Sequence, residues 1–357
     1  MAKTRHYRSD NLSLPRELSR EEVSSAVAKY FCRGFMPTEI VERVYKDYGV
    51  QISREDPARI LSYLGQRGRF QYIPPIEADL QEKLAQRYPW LSRKLDVVNT
   101  MVADDVASRG AKLLVELMQN FQRGNETERA YHIGFAGGHL LRKVARSLAH
   151  LLREARPLPK RLVFHAMVAS FDLGNPITAP NSFFSFFGEE MALPVDVEFV
   201  GLNEPGIVRT EDMGMLGKVG MIKRAFDQAA DIDVIYASAG HWYQGHSVLH
   251  KMYERESENC LHQLVQMGCV GDMMWRPVGQ DGPLEQEMES RVVTVMDLSD
   301  VPGFIAKGKS VVLAVGPCGV CRQPKNEVLA PILESKPPLL THLVIDSLTA
   351  SKLLHSA

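Results

Sequence analysis

From about residue 129 the sequence repeats one unit, a short apolar run followed by a longer stretch with apolar residues at helical spacing. The runs are Tyr131–Phe135, Leu162–Val168, Val195–Val200, Val234–Ala237, Val292–Met296, Val311–Val315 and Leu343–Ile345. Between most of them lie Leu140–Leu152, Met215–Ala229, His250–Met267, Asn326–Leu333 and Leu348–Leu354. Parallel strands cannot be joined by tight turns and need a crossover, usually a helix. The alternation therefore predicts a Rossmann-like, mainly parallel α/β sheet with helices on both faces. Ligands in such sheets bind beyond the carboxyl ends of the strands, so the strand-to-helix loops are where chemistry is sought.

The first seventy residues follow another rule. Ser19 can cap a helix, with Glu22 as its capping-box partner, and Val23, Val27, Tyr30 and Phe31 then share one face. A second helix opens at Thr38 and carries Ile40, Val41, Val44 and Tyr45. A third begins at Asp56-Pro57, read as a cap followed by proline, and carries Ile60, Leu61 and Leu64. Phe70–Ile73 alternates like a short strand. Three short helices and a strand predict a (winged) helix-turn-helix whose third helix would enter a major groove. Arg54, Arg59, Ser62, Tyr63, Gln66 and Arg67 lie on its polar face, with Arg69 at the possible wing. Arg and Gln can pair with base edges, and the remaining Arg side chains would neutralise phosphates. A small helical domain with a solvated basic face fits the same pattern.

Charge is consistent with that division. The chain has 42 Lys+Arg and 43 Asp+Glu in 357 residues, net −1, which predicts no global attraction to nucleic acid or membrane. Residues 1–70 are net +4 and the remainder net −5, a basic head on an acidic body. Met1–Arg8 is polar and basic without an apolar core, so no signal peptide is expected, and no apolar run reaches the length of a membrane span. Five scattered cysteines argue against a disulfide framework and for a reducing cytoplasm. Residues 76–122 read as a helical linker, broken at Pro89, with a covering helix over Val102–Phe121.

Three loops hold candidate chemistry. Gly134-Phe-Ala-Gly137-Gly138-His139 runs into a helix. Glycines admit close approach of an anion, and a helix start offers free N–H groups. A tight turn needing small residues is the plain alternative. Neither a dinucleotide fingerprint nor a P-loop is present. The second loop, Ser238-Ala-Gly240-His241-Trp242, is followed by His246 and His250; solvated or hydrogen-bonded histidines outweigh a metal site, since no carboxylate stands at metalloprotease spacing. The third contains Cys318-Gly-Val-Cys321. A redox or metal role is weighed against packing in a turn, and one pair is too few for a structural zinc site. No metal and no cofactor are expected. Arg322 and Lys325 are candidate anion ligands, as is Arg276 after Asp272, while Phe183–Phe187 reads as a buried face. No catalytic constellation is legible.

The order of these pieces resembles the SorC family of sugar-responsive bacterial transcription regulators. Cys32–Ile40 looks like the family's junction between its first two helices, and Leu80–Leu95 like its linker. Ile133–Gly138 stands where the family has a glycine-rich sugar-phosphate loop. Asp231–Ile235 with Ser238-Ala-Gly240, Gly268–Met273 with Asp281-Gly282, Val312–Gly316 with Lys325, and the tail Val344–Leu354 carry the remaining likeness. The chain departs at Gly138-His139, where the family often has Thr, and at Pro317-Cys318, where it usually has two glycines. The resemblance implies an effector domain related in fold to glucosamine-6-phosphate deaminase, ribose-5-phosphate isomerase and CoA transferases. It implies that Gly137, Gly138 and His139 hold an effector phosphate within a site that includes Gly134 and Gly240. Lys325 would be a charged contact and Asp272 part of the lining.

The expected organisation is a helix-turn-helix domain over 1–75, a helical linker over 76–125 and an effector-binding domain over 126–357. The expected function is a cytoplasmic, DNA-binding regulator and not an enzyme. Its partners would be operator DNA, a phosphorylated sugar or similar anion, and a second copy or three of itself, with no membrane. A sugar-phosphate isomerase or deaminase, and a ligand sensor that docks protein through its helical head, remain as alternatives.

Overall fold

In the computed structural model the described residues are 19–66, 73–124, 129–169, 175–188, 193–216, 218–242 and 245–355. They divide into two compact units at Tyr72/Ile73.

The first unit is three helices: α1 (Arg20–Cys32), α2 (Pro37–Tyr48) and α3 (Asp56–Gln66). The expected capping box is present, with the Ser19 N–H donating to the Glu22 carboxylate at 2.7 Å and Ser19 Oγ accepting from the Glu22 N–H. Helix α2 starts one residue earlier than Thr38 because Pro37 takes its first position. Asp56 acts inside the first turn of α3, where it accepts the Ser53 N–H at 2.7 Å. Val23, Ala26, Val27, Tyr30, Ile40, Val44, Val50, Ile52, Ile60 and Leu64 form the core. The alternating stretch 70–73 lies outside the described residues except for Ile73.

The second unit runs, in chain order, α4 (Ala78–Arg87), β1 (Leu95–Val98), α5 (Ala103–Gly124), β2 (Tyr131–Phe135), α6 (His139–Leu152), β3 (Arg161–Ala166), α7 (Pro180–Phe183) and β4 (Asp196–Val200). It continues with β5 (Ile207–Arg209), α8 (Met213–Leu216), α9 (Gly220–Asp227), β6 (Val234–His241), α10 (Val248–Glu256), α11 (Glu258–Gln266), β7 (Cys269–Met273), β8 (Arg276–Gly279) and β9 (Gly282–Pro283). It ends with β10 (Ser290–Val292), α12 (Val301–Ala306), β11 (Ser310–Val315), α13 (Asn326–Glu334), β12 (His342–Asp346) and α14 (Ser347–His355).

Seven strands make a parallel sheet in the order β1-β12-β11-β6-β2-β3-β4. The chain lays β3 and β4 outward from β2 on one side, then returns to place β6 on the other. Strand order therefore reverses between β2 and β6, the place beyond whose carboxyl ends open α/β sheets bind ligands. The far end of β6 also pairs antiparallel with β7, which forms a hairpin with β8 and, through it, β9. Helices α5 and α6 pack on each other, and α6 buries Leu141, Val144, Ala145 and Leu148.

Two differences from the sequence reading have clear causes. The stretch 76–125 lies in the sheet unit, because Leu95–Val98 pairs with Leu343–Asp346 as an edge strand. Four residues carry too little periodicity to announce a strand. Val292–Met296 does not join the parallel sheet; β10 pairs antiparallel with β5, and Thr294 makes an isolated bridge to Val168. Among the described residues no helix is long and apolar enough to cross a membrane, and no disulfide joins the five cysteines.

Leu141 is 0% exposed, so Leu141→Ala leaves a void that its neighbours fill only partly. Urea unfolding of the variant is expected to show a loss of about 2–5 kcal/mol.

Candidate functional site

The loop between β2 and α6 sits at the strand-order reversal. Gly134 lies inside β2, paired with His165 on one side and Ile235 on the other. Beyond it, the Ala136 N–H donates to the Tyr236 carbonyl at 3.0 Å and the Gly138 N–H to the Thr178 carbonyl at 2.8 Å. Gly137 lies beneath the Trp275 ring, where a Cβ would come within 2.3 Å of the indole. The glycine stretch is thus roofed and tied rather than open along its length, which narrows the expected backbone cradle. What faces outward is the first turn of α6, led by the exposed His139.

Gly240 and Asp272 face each other across the β6–β7 ladder. A Cβ on Gly240 would come within 2.3 Å of Asp272 Oδ2, so only glycine lets this carboxylate sit there. Ser247 Oγ donates to Asp272 Oδ2 at 2.5 Å, and the Trp275 amide donates to the same carboxylate. Burial raises the Asp272 pKa to about 6, although the Ser247 bond and the Lys325 charge act against the shift. Lys325 precedes α13, and its Nζ donates to the Ala239 carbonyl at 2.7 Å. Burial lowers the pKa of this ammonium, against attraction from Cys318, Asp272 and Asp346.

These groups form one chain of contacts, from Gly137 through Trp275 and Asp272 to Gly240 and Ser247. Lys325 carries a positive charge beside it. The His139 pKa is held down by desolvation, then by Lys251, Lys143, Lys325 and Arg142. Four cations thus repel a proton at His139, one of them, Lys143, paired with Asp104. Together they make a field suited to an anion.

Trp275 was not legible in the sequence. Met274 and Trp275 form the two-residue turn of the β7–β8 hairpin with φ of 56° and 59°. Such turns normally use Asn or Gly, and neither stands here, so the hairpin itself gave no turn signal. Left-handed backbone at two bulky residues is strained. The contact of Trp275 with Gly137 and its amide bond to Asp272 help hold it in place.

The other candidates sort differently. Arg276 is sealed in an ion pair with Asp297 at 2.6 Å, and burial lowers its pKa to about 10. It lines a separate hollow of about 370 Å³ with Tyr253, Met288 and Arg291. Phe183, Phe184 and Phe187 are buried, and Phe187 stacks on Phe164. His250 packs edge-on against Trp242. Arg322 is exposed with φ 58°. His241, His246, Cys318 and Cys321, weighed in the sequence as two unrelated groups, come together with their ligand atoms within 4.8 Å of one another. The expectation of no metal rested on the lack of a carboxylate at metalloprotease spacing and on one cysteine pair being too few for a structural zinc site; the fold brings the histidine pair and the cysteine pair together.

In the first unit, Arg54, Arg59 and Ser62 are exposed on or just before α3. Arg59 pairs with Glu55 at 2.7 Å and Asp56 at 3.8 Å. The Glu55 contact is exposed on both sides and is worth little, whereas Asp56 is only 14% exposed. Gln66 ends α3; its side chain, Arg67 and Arg69 lie outside the described residues.

A three-helix head and a parallel α/β unit whose strand order reverses between β2 and β6 define a two-part class of protein. No protein-family model matches the chain, and no curated protein matches its sequence. Solved structures do match in fold. The full-length sorbitol operon regulator SorC of Klebsiella pneumoniae aligns with a TM-score of 0.60 at 15% identity, covering 94% of this chain and 99% of that one. A probable sor operon regulator from Shigella flexneri gives 0.57 at 16%, covering 78% and 98%. A DeoR family transcriptional regulator from Listeria monocytogenes gives 0.55 at 18%, covering 77% and 98%. The chain has the fold of SorC/DeoR-type regulators.

The raised Asp272 pKa predicts a pH signature. The folded chain keeps this proton over a range where the unfolded chain, with its aspartate near 3.8, has lost it. Stability from this site is full below about pH 4 and falls as pH rises to about 6, by up to about 3 kcal/mol. Asp272→Asn is expected to flatten that fall in urea unfolding measured across pH; an unchanged slope would place the titration elsewhere.

Proposed function

We propose that the chain is a DNA-binding transcriptional regulator controlled by a small phosphorylated sugar or related anion. The observation that carries this reading is the cationic field at the first turn of α6, beside the roofed glycine loop and the half-buried Lys325. The effector's phosphate is read by the α6 N-terminus, His139 and Lys325, with Gly134, Gly137, Gly138, Gly240 and Asp272 shaping the wall. The fold shared with sugar-operon regulators supports the same assignment. Asp272 and Lys325 are committed to internal hydrogen bonds, an arrangement that favours binding over proton transfer and so argues for a regulator over an isomerase.

On this reading residues 1–75 bind operator DNA through Arg54, Arg59, Ser62, Gln66 and Arg67. Residues 126–357 bind the effector, and residues 76–125 belong to the same compact unit, with β1 at the sheet edge. The chain works as a homodimer or homotetramer, so that effector affinity and operator affinity are coupled across an interface.

Fluorescence anisotropy on duplexes selected from a genomic library tests the DNA arm. Arg54→Ala is expected to weaken binding across all sequences and to reduce the slope of log K against log salt by about 1. Retention no better than on bulk duplex would overturn operator recognition. Thermal shift against phosphorylated sugars, with inorganic phosphate as control, tests the effector arm. His139→Gln is expected to weaken a hit by about 1.5–3 kcal/mol, the value of a hydrogen bond to a charged group. A hit unaffected by both His139→Gln and Lys325→Met would move the effector site elsewhere.

A further inference from the structure

The geometry points to a tetrahedral zinc site formed by His241, His246, Cys318 and Cys321 at the ends of two neighbouring strands. His241 is the last residue of β6, and His246 stands two residues before α10. Cys318 and Cys321 lie in the loop after β11, the parallel neighbour of β6. Cys318 Sγ is 3.7 Å from His246 Nδ1, and Cys321 Sγ is 3.9 Å from His241 Nε2. All four ligand atoms lie within 4.8 Å of one another. With Zn–S near 2.3 Å and Zn–N near 2.05 Å, a tetrahedron needs S···N edges of about 3.6 Å and S···S edges of about 3.8 Å. The two measured edges need only a few tenths of an ångström of closure.

The local backbone suits a metal thiolate. The Val320 and Cys321 amides both hydrogen-bond the Cys318 sulfur. The turn is closed by the Cys318 N–H donating to the Gln323 carbonyl at 2.9 Å and the Arg322 N–H donating to the Cys318 carbonyl at 2.9 Å. Amides aimed at a sulfur stabilise its anion, the form that binds metal. His241 and Cys318 are buried, while His246 and Cys321 are half-buried, which leaves an entry side. Two thiolates and two imidazoles select a thiophilic divalent ion over magnesium or calcium. The filled set is formally neutral, so it adds no net charge beside Lys325.

Four protein ligands close the coordination sphere, so the metal is structural rather than catalytic. It staples the loop after β6 to the loop after β11. This assignment stands whether or not the nearby anion is a sugar phosphate, because it uses none of the residues assigned to that anion.

The test uses the full, tag-free chain with its thiols reduced. After chelator treatment it is titrated with cobalt(II), and zinc is then added. One equivalent of cobalt is expected to bind with thiolate-to-cobalt charge-transfer absorption and intense tetrahedral visible bands, which zinc abolishes. Zinc is also expected to raise the melting temperature in proportion to the logarithm of its concentration. Cys318→Ser and His246→Ala should each weaken binding about tenfold or more, whereas Cys32→Ser, in the other unit, should not. Absence of a charge-transfer band in fully reduced wild-type chain overturns the site. So does a Cys318→Ser or His246→Ala variant that binds cobalt as tightly as wild type.

Discussion

The second unit depends on the hydrogen-bonded contact between β2 and β6. Ile133, Gly134 and Phe135 pair with Val234, Ile235 and Tyr236, and this pairing is where the chain, having built outward one way, turns to build the other. A right-handed crossover on each side sends its helix to the opposite face. The end of β6 stays close to the loop that leaves β2: a Cβ on Gly138 would come within 3.3 Å of Ser238 Oγ. Topology places these segments together, and the side chains around them then decide what they can hold. The Ala136 N–H bond to the Tyr236 carbonyl extends the pairing one residue past β2, which sets where the glycine loop begins.

The parallel sheet was legible because its central strands are buried on both faces. β6 and β11 read as continuous apolar runs, Val234–Ala237 and Val311–Val315, that only a covered strand can tolerate. The elements that escaped notice were short or held by pairing rather than by pattern. β1 is four residues at an edge. β7 and β8 form a hairpin whose turn, Met274-Trp275, has the backbone of a glycine turn without the residues. The break at Ser257 between α10 and α11 was hidden because apolar spacing continues across it. Ser257 is extended, at φ −160°, and no proline or glycine marks the place.

The candidate site was half legible. Glycines beside strand ends lie where the strand order reverses, and Lys325 and Asp272 stand within one contact network. Pattern alone could not say which amides were free. Two amides of the 136–138 loop are bound internally, to partners 40 and 100 residues distant in sequence. Arg276 shows the opposite error: a lone arginine near an aspartate looks available until the fold supplies Asp297. Sequence spacing also hid the histidine–cysteine cluster. His241 and Cys321 are separated by 80 residues, and only adjacency of β6 and β11 brings them within reach.

That adjacency also bears on how Lys325 is held. The residues between β11 and α13 form no regular element beyond the turn at Cys318–Arg322. Lys325 comes three residues after that turn, so its position follows from how well the turn is held. Its bond to the Ala239 carbonyl reaches back to β6, the strand that carries His241. A metal joining His241 and His246 to Cys318 and Cys321 would constrain the same two segments that this hydrogen bond also links. An anion meeting a lysine already held in place loses less of its binding free energy to ordering the loop. Bracing and anion affinity are then linked through the Lys325 backbone, without any contact between metal and anion.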